Sequence, residues 1–133
     1  MKVLVVDDQE VFRKKMITAL TSEGVVEDAH VVQAGDGLEA IDAFEAHEDI
    51  VLMIVDIHMP RKNGVDTLRE LNARHAERLS RTRIFIITTS NDPQLRQEMK
   101  GIGVMGWLVK PIDATGFSKM ISKNYDRLFS QAA

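Results

Sequence analysis

Five side chains that could share one piece of chemistry each stand directly behind a short apolar run. Asp7 and Asp8 close the run Lys2 to Val6, and Asp56 closes Ile50 to Val55. Thr88 closes Ile84 to Ile87, and Lys110 closes Val104 to Val109 just before Pro111. Carboxylates suit a metal ion, while a hydroxyl and an ammonium suit an anion. If the runs are strands of an open parallel sheet, these residues meet outside the strands' carboxyl ends, where such sheets bind ligands.

Three carboxylates at one edge repel. A pair at ~4 Å costs on the order of 4 kcal/mol at an effective dielectric of 20, so the cluster calls for a cation. An all-oxygen set favours a hard ion, Mg²⁺ or Mn²⁺ in its place. Zinc lacks a thiolate or a paired histidine motif here. The bland reading of Asp7-Asp8 is an acidic start to the next helix, where acids are favourable. Asp56 resists that reading: Pro60 and Asn63-Gly64 mark a turn, which leaves Asp56 at an exposed strand end. Taken alone, Lys110 reads as a solvated lysine and Thr88 as an ordinary strand residue. Their shared placement lifts both.

The elements that must position these groups alternate. Strands are predicted over 2–6, 29–34, 50–55, 83–88 and 104–109, apolar almost throughout, as in strands covered on both faces. Helices are predicted over 10–22 (Phe12, Met16, Ala19, Leu20), 36–47 (Leu38, Ile41, Phe44) and 64–78 (Val65, Leu68, Leu71, His75). Another spans 92–101, opened by Asn91-Asp92-Pro93. The last, 113–129, is capped by Asp113 and buries Phe117, Met120, Ile121, Tyr125 and Leu128. Ala76 to Arg83 fits either a helix extension or a loop. Five βα units in series give an α/β domain around a parallel sheet.

Composition sets the outer limits. The 133 residues suit one domain, with 44% hydrophobic and 28% charged residues. A net charge of −3 offers no field for nucleic acid. With no cysteine, disulfides, thiolate metal sites and cysteine nucleophiles are excluded. The apolar start is too short for a signal peptide, and no run approaches the ~20 apolar residues of a membrane span. A cytoplasmic location without membrane insertion is the expectation.

Taken in order, Val5-Val-Asp-Asp8, Asp56-Ile-His-Met-Pro60 with Asn63-Gly64, Thr88, and Gly103 to Lys110-Pro111 resemble the receiver domain of bacterial two-component response regulators. The likeness is strongest to its single-domain, chemotaxis-type members and covers nearly the whole chain. It implies a three-layer, doubly wound, five-stranded parallel sheet of order 2-1-3-4-5, the flavodoxin-like receiver fold. Residues 1–130 would form the domain and 131–133 a flexible tail. It further implies that Asp56 is the phosphoacceptor and that Asp8 ligates Mg²⁺ directly, with Asp7 assisting. The backbone carbonyl of His58 would complete the protein's share of the metal shell. Thr88 would be the switch hydroxyl, Lys110 the partner of a phosphoryl oxygen, Trp107 the switch aromatic, and Lys110-Pro111 a cis bond. The donor would be a sensor histidine kinase or a histidine phosphotransfer protein. The output would be a protein bound on the 92–129 face.

The chain departs from the family's habit at Thr89, bulkier than the usual small residue, and at Trp107, where Tyr or Phe is usual. His58 and Ser90 would flank the phosphoryl group and set its lifetime. On this reading the protein is no turnover enzyme, though it catalyses its own phosphorylation and dephosphorylation. A start at Met1 and a short tail suggest a stand-alone protein; the alternative is a receiver fragment of a larger regulator with an output domain. A Mg²⁺-dependent aspartyl-phosphate phosphatase usually has a second acid two residues after its nucleophile and a substrate-capping insertion; here Asp8 is followed by Gln9-Glu10, and the sequence carries no such insertion. A flavin carrier would need a hydroxyl-rich phosphate loop where Asp7 and Asp8 stand. A degenerate receiver would lack part of the residue set.

Overall fold

The computed structural model describes residues 1–22, 24, 26–89 and 92–124. Five parallel strands, β1 (Lys2–Val6), β2 (Val31–Ala34), β3 (Ile50–Asp56), β4 (Arg83–Thr88) and β5 (Val104–Val109), lie in the order β2-β1-β3-β4-β5. Six helices connect or follow them: α1 (Glu10–Ser22), α2 (Gly37–Ala46), α3 (Gly64–Arg74), α4 (Ala76–Ser80), α5 (Pro93–Glu98) and α6 (Ala114–Lys123). This is the doubly wound arrangement expected from the sequence.

Successive strand side chains point to opposite faces, and the apolar runs feed two cores. Leu4, Val6, Met53, Val55, Ile84 and Ile86 pack with Ala40, Ile41 and Phe44 of α2 and with Leu68 and Leu71 of α3. Val3, Val5, Leu52, Ile54, Phe85 and Ile87 pack with Met16, Ala19 and Leu20 of α1 and with Phe117 and Ile121 of α6. Each fully buried Leu, Ile or Phe contributes about 1.5–3 kcal/mol. A strand covered on both sides has no polar face, which is why these runs do not alternate. Ser118 ties α6 to α1 by donating its hydroxyl to the Ala19 carbonyl at 2.5 Å.

The structure differs from the sequence expectation at several elements. Strand β2 begins at Val31, because Asp28–His30 form an exposed 3-10 turn. Helix α2 begins at Gly37 behind its cap Asp36, so Gly37, Ala40, Ile41 and Phe44 form the buried stripe. Leu38, expected inside, is 44% exposed, since it lies one position off that stripe. The helix expected over 64–78 breaks at His75 (φ −139°, ψ 44°). The break brings Leu79 into the core and lets Arg78 donate to the carbonyls of Phe44 and His47 at 2.5 and 2.6 Å. The segment expected as one helix over 92–101 is α5 followed by a 3-10 turn, Lys100–Ile102, which ends at Gly103 with φ 77°. Asp92 caps α5 by accepting from the Gln94 and Leu95 amides. In α6, Phe117 and Ile121 are buried and Met120 only partly so. Tyr125, Leu128 and the 131–133 tail lie outside the described residues, as do Ser90 and Asn91.

Candidate functional site

The strand order sets the site. Strand β1 runs between β2 and β3, so the connections from β1 and β3 leave in opposite senses and open a crevice at their carboxyl ends. Asp56 is the last residue of β3 and is 3% exposed. Asp7 follows β1 with 0% exposure, while Asp8 beside it faces solvent. One carboxylate oxygen from each of the three lies within 4.8 Å of the others. Asp7 is held firmly: its Oδ1 accepts from the Gln9 amide at 2.8 Å, and its carbonyl accepts from Arg13 Nη1 at 2.5 Å.

Lys110 reaches this cluster from the end of β5. Its Nζ stands 3.1 Å from Asp7 Oδ2 and 3.5 Å from Asp56 Oδ2. The Phe12 ring covers it on another side, 4.4 Å from Nζ. Lys110 is placed by its amide, which donates to the Thr88 carbonyl at 2.8 Å, and it precedes a cis Lys110-Pro111 bond, as expected. Burial pushes the Asp56 carboxyl above the usual carboxylate range, and the charge of Asp7 adds to this. Lys110 and the His58 amide offset part of the rise. For Lys110 burial favours the neutral amine. The Asp7 hydrogen bond and the Asp56 and Asp7 charges outweigh that, and its pKa rises.

Thr88 ends β4 and is buried. It pairs with Val109, and Ile86 pairs with Trp107. Residues two apart on a strand share a face, so Thr88 and Trp107 are diagonal neighbours. Trp107 is partly buried, with the Arg96 guanidinium carbon 5.3 Å from its ring centroid. His58 and Thr89 are exposed at the rim. The structure thus brings Asp7, Asp8, Asp56 and Lys110 into direct proximity and sets Thr88 at the same edge.

Sequence reasoning read Phe12 only as helix packing and passed over Arg13 altogether. No spacing rule marks a residue that supports another's backbone. The donor set fits a hard divalent cation: three carboxylates face one ammonium, so two negative charges are left uncompensated.

Gly64 fixes the far end of the loop after Asp56. Its amide donates to the Ile57 carbonyl at 2.9 Å, and a Cβ there would lie 2.4 Å from the Asp56 carbonyl oxygen. Gly64→Ala is therefore expected to cost about 1–3 kcal/mol, read as a lower melting temperature. A parent-like melting temperature would show that the loop yields without strain.

The family model for the response regulator receiver domain matches residues 3–122. The transcriptional regulatory protein PdtaR of Mycobacterium tuberculosis strain H37Rv is 32% identical over 111 residues, which are 83% of this chain and 49% of PdtaR. Chemotaxis protein CheY4 of Vibrio cholerae superposes with a TM-score of 0.78 at 30% identity, over 92% of this chain and 96% of CheY4. CheY of Borrelia burgdorferi, in a CheX-CheY-BeF3-Mg complex, gives a TM-score of 0.76 at 26% identity, over 92% of this chain and 88% of that one. The chain spans about half or less of the length of the curated relatives it matches.

Proposed function

The chain belongs to the response regulator receiver domain family, and from that membership we propose that it accepts a phosphoryl group on Asp56 in the presence of Mg²⁺ and signals through altered protein contacts. At the coarser level it is a signalling receiver of a two-component system. The observation that carries the finer reading is the buried Asp7–Asp56 pair bridged by Lys110, with Asp8 open to solvent beside it.

In this reading Asp8 and Asp56 hold the ion, with the His58 carbonyl beside them and Asp7 assisting. Mn²⁺ can replace Mg²⁺. The ion supplies charge neutralisation for a loose phosphoryl-transfer transition state. Asp56 supplies the in-line oxygen, fixed at a strand end so that little orientation is lost on attack. Lys110 moves from its two carboxylate partners onto a phosphoryl oxygen. The Thr88 hydroxyl turns toward the same group. The donor is a phosphohistidine on a sensor kinase or phosphotransfer protein, in the cytoplasm. Water then attacks the acyl phosphate, which restores the Asp56 carboxylate and releases inorganic phosphate, so the chain acts on its own side chain and serves as a signalling module in place of a metabolic catalyst. Because the relatives are longer, a second arrangement is a receiver within a larger regulator.

Intact mass spectrometry after Mg²⁺ and a small acyl phosphate tests the proposal. A labile gain of one phosphoryl group, lost in Asp56→Asn, supports it; no gain in the parent removes it.

Output follows from Thr88 and Trp107. When the Thr88 hydroxyl turns away, it vacates space on the face it shares with Trp107, and the indole turns inward. The face of α5, β5 and α6, within the 92–129 segment, then binds its partner in the phosphorylated state. A partner that did not distinguish the two states could not shift them. Trp107 is the only tryptophan, so its emission should change on phosphorylation. Trp107→Ala should weaken phosphorylation-dependent binding more than phosphorylation itself. An unchanged emission spectrum on a protein shown to be modified at Asp56 would remove Trp107 from the switch.

A further inference from the structure

The loop between Asp56 and α3 holds the one non-glycine residue with positive φ among the described residues, Arg61 at 63°. Side chains disfavour that region, and a turn that needed only the backbone shape would take glycine. The arginine side chain accounts for the exception. Its Nε donates to Asp36 Oδ2 at 2.6 Å, Nη2 pairs with the same carboxylate, and Nη2 lies 3.5 Å from Glu39 Oε2. Asp36 is itself fixed: it is 5% exposed and caps α2 by accepting from the Glu39 amide at 2.9 Å.

The neighbouring residues seal the same joint. The Gly37 amide at the start of α2 donates to the Lys62 carbonyl at 3.1 Å. A Cβ on Gly37 would lie 2.1 Å from Thr67 Oγ1 and 2.6 Å from that carbonyl. Lys62 Nζ pairs with Glu70 of α3 at 2.8 Å. An exposed ion pair on a free loop contributes little. Here one partner is a buried helix cap and the other sits on a strained backbone, so the pair fixes where the loop lies.

We infer that Arg61 is a positioning residue: through Asp36 it clamps the 57–63 loop against the N-terminus of α2 and so holds His58 in place for the metal site. The inference rests on the Mg²⁺ reading above. His58 lies three residues before Arg61 on the same loop and two residues after Asp56, so the loop's position sets where its backbone stands relative to the carboxylates. Releasing the clamp lets the His58 backbone drift from the carboxylates while leaving Asp7, Asp8, Asp56 and Lys110 intact.

The test is calorimetric titration of the full chain with Mg²⁺ alone, beside thermal unfolding in chelator. Arg61→Gly suits the backbone and removes the guanidinium. Its Mg²⁺ Kd is expected to rise about tenfold, the low end for lost support around a metal ligand, with the metal-free fold retained. Arg61→Asn, which also tolerates positive φ, repeats the measurement should the glycine variant not fold. Arg61→Lys keeps a charge without the fork and should fall between glycine and parent. Asp36→Asn should match Arg61→Gly, and the double variant should add nothing further. A Kd equal to the parent's in Arg61→Gly, or additive losses in the double variant, overturns the clamp. A parent that binds no Mg²⁺ overturns the metal reading itself and the clamp with it, an outcome distinguishable from the other two.

Discussion

In chelator, Asp56→Asn is expected to melt about 4–8 °C above the parent and to take up no phosphoryl group from an acyl phosphate. The amide keeps the shape of the side chain and removes its charge. What it relieves is visible in the site: Asp56 is 3% exposed and faces buried Asp7, with Asp8 nearby and Lys110 as the one ammonium shared between two carboxylates. A carboxylate pair at ~4 Å costs on the order of 4 kcal/mol, and Lys110 offsets part of it. About 1–2 kcal/mol of relief is a reasonable remainder, which sets the temperature shift for a domain of this size. Asp8→Asn should gain less, because Asp8 is exposed and water screens it. If Asp56→Asn melts below the parent, the carboxylates are not the strained element of the fold.

The same comparison has a definite pH dependence. The folded Asp56 carboxyl has its pKa raised from 3.8, first by burial and then by the Asp7 charge. The folded state therefore holds that proton more tightly than the unfolded chain, and stability falls as pH rises through the window between 3.8 and the folded value. The advantage of Asp56→Asn should be complete above that window and vanish below 3.8. Added Mg²⁺ should stabilise the parent by mass action and narrow the gap from the other side.

The fold was legible in the sequence because the inner strands β1, β3 and β4 are covered on both faces, so each reads as a nearly unbroken apolar run. The strand ends were legible for the same reason: a polar residue directly behind such a run falls at the sheet's carboxyl edge. That one rule located Asp7, Asp8, Asp56, Thr88 and Lys110. It could not tell the three acids apart. Asp7 is fully buried and Asp8 exposed although both follow β1 and their carboxylates converge, a distinction carried by backbone course and not by residue type. Nor could it find His75 as a helix break, since the apolar pattern runs on past it, and the Arg78 contacts to the end of α2 that accompany the break span more than thirty residues. Arg61 was invisible for a further reason. Its partner Asp36 is 25 residues away, and the sequence marks neither as more than turn and cap.

Lys110→Ala should keep the fold and lose about 10–100-fold in the rate of phosphoryl uptake or in the response to it. The figure comes from a charge-assisted hydrogen bond worth about 1.5–3 kcal/mol, at 1.36 kcal/mol per tenfold. The structure shows why the loss is specific. Lys110 Nζ now rests nearer Asp7 than Asp56, at 3.1 against 3.5 Å, poised to trade a carboxylate for a phosphoryl oxygen without crossing the site. Its pKa is raised from 10.5, so its ion pairing is fully present below that value and lost only as pH climbs through the folded one. Ordinary buffers leave it charged throughout, and an uptake rate that varies near neutrality must have another origin. Lys110→Ala also removes the ammonium that competes for Asp7 and Asp56, so Mg²⁺ should bind the variant more tightly even as phosphorylation falters. That opposition separates a role in phosphoryl chemistry from simple damage to the site, which would weaken both. Lys110→Arg should rescue only in part. A planar fork cannot sit as a compact charge between two carboxylates beneath the Phe12 ring. Unchanged uptake together with unchanged partner binding in Lys110→Ala would take Lys110 out of the mechanism.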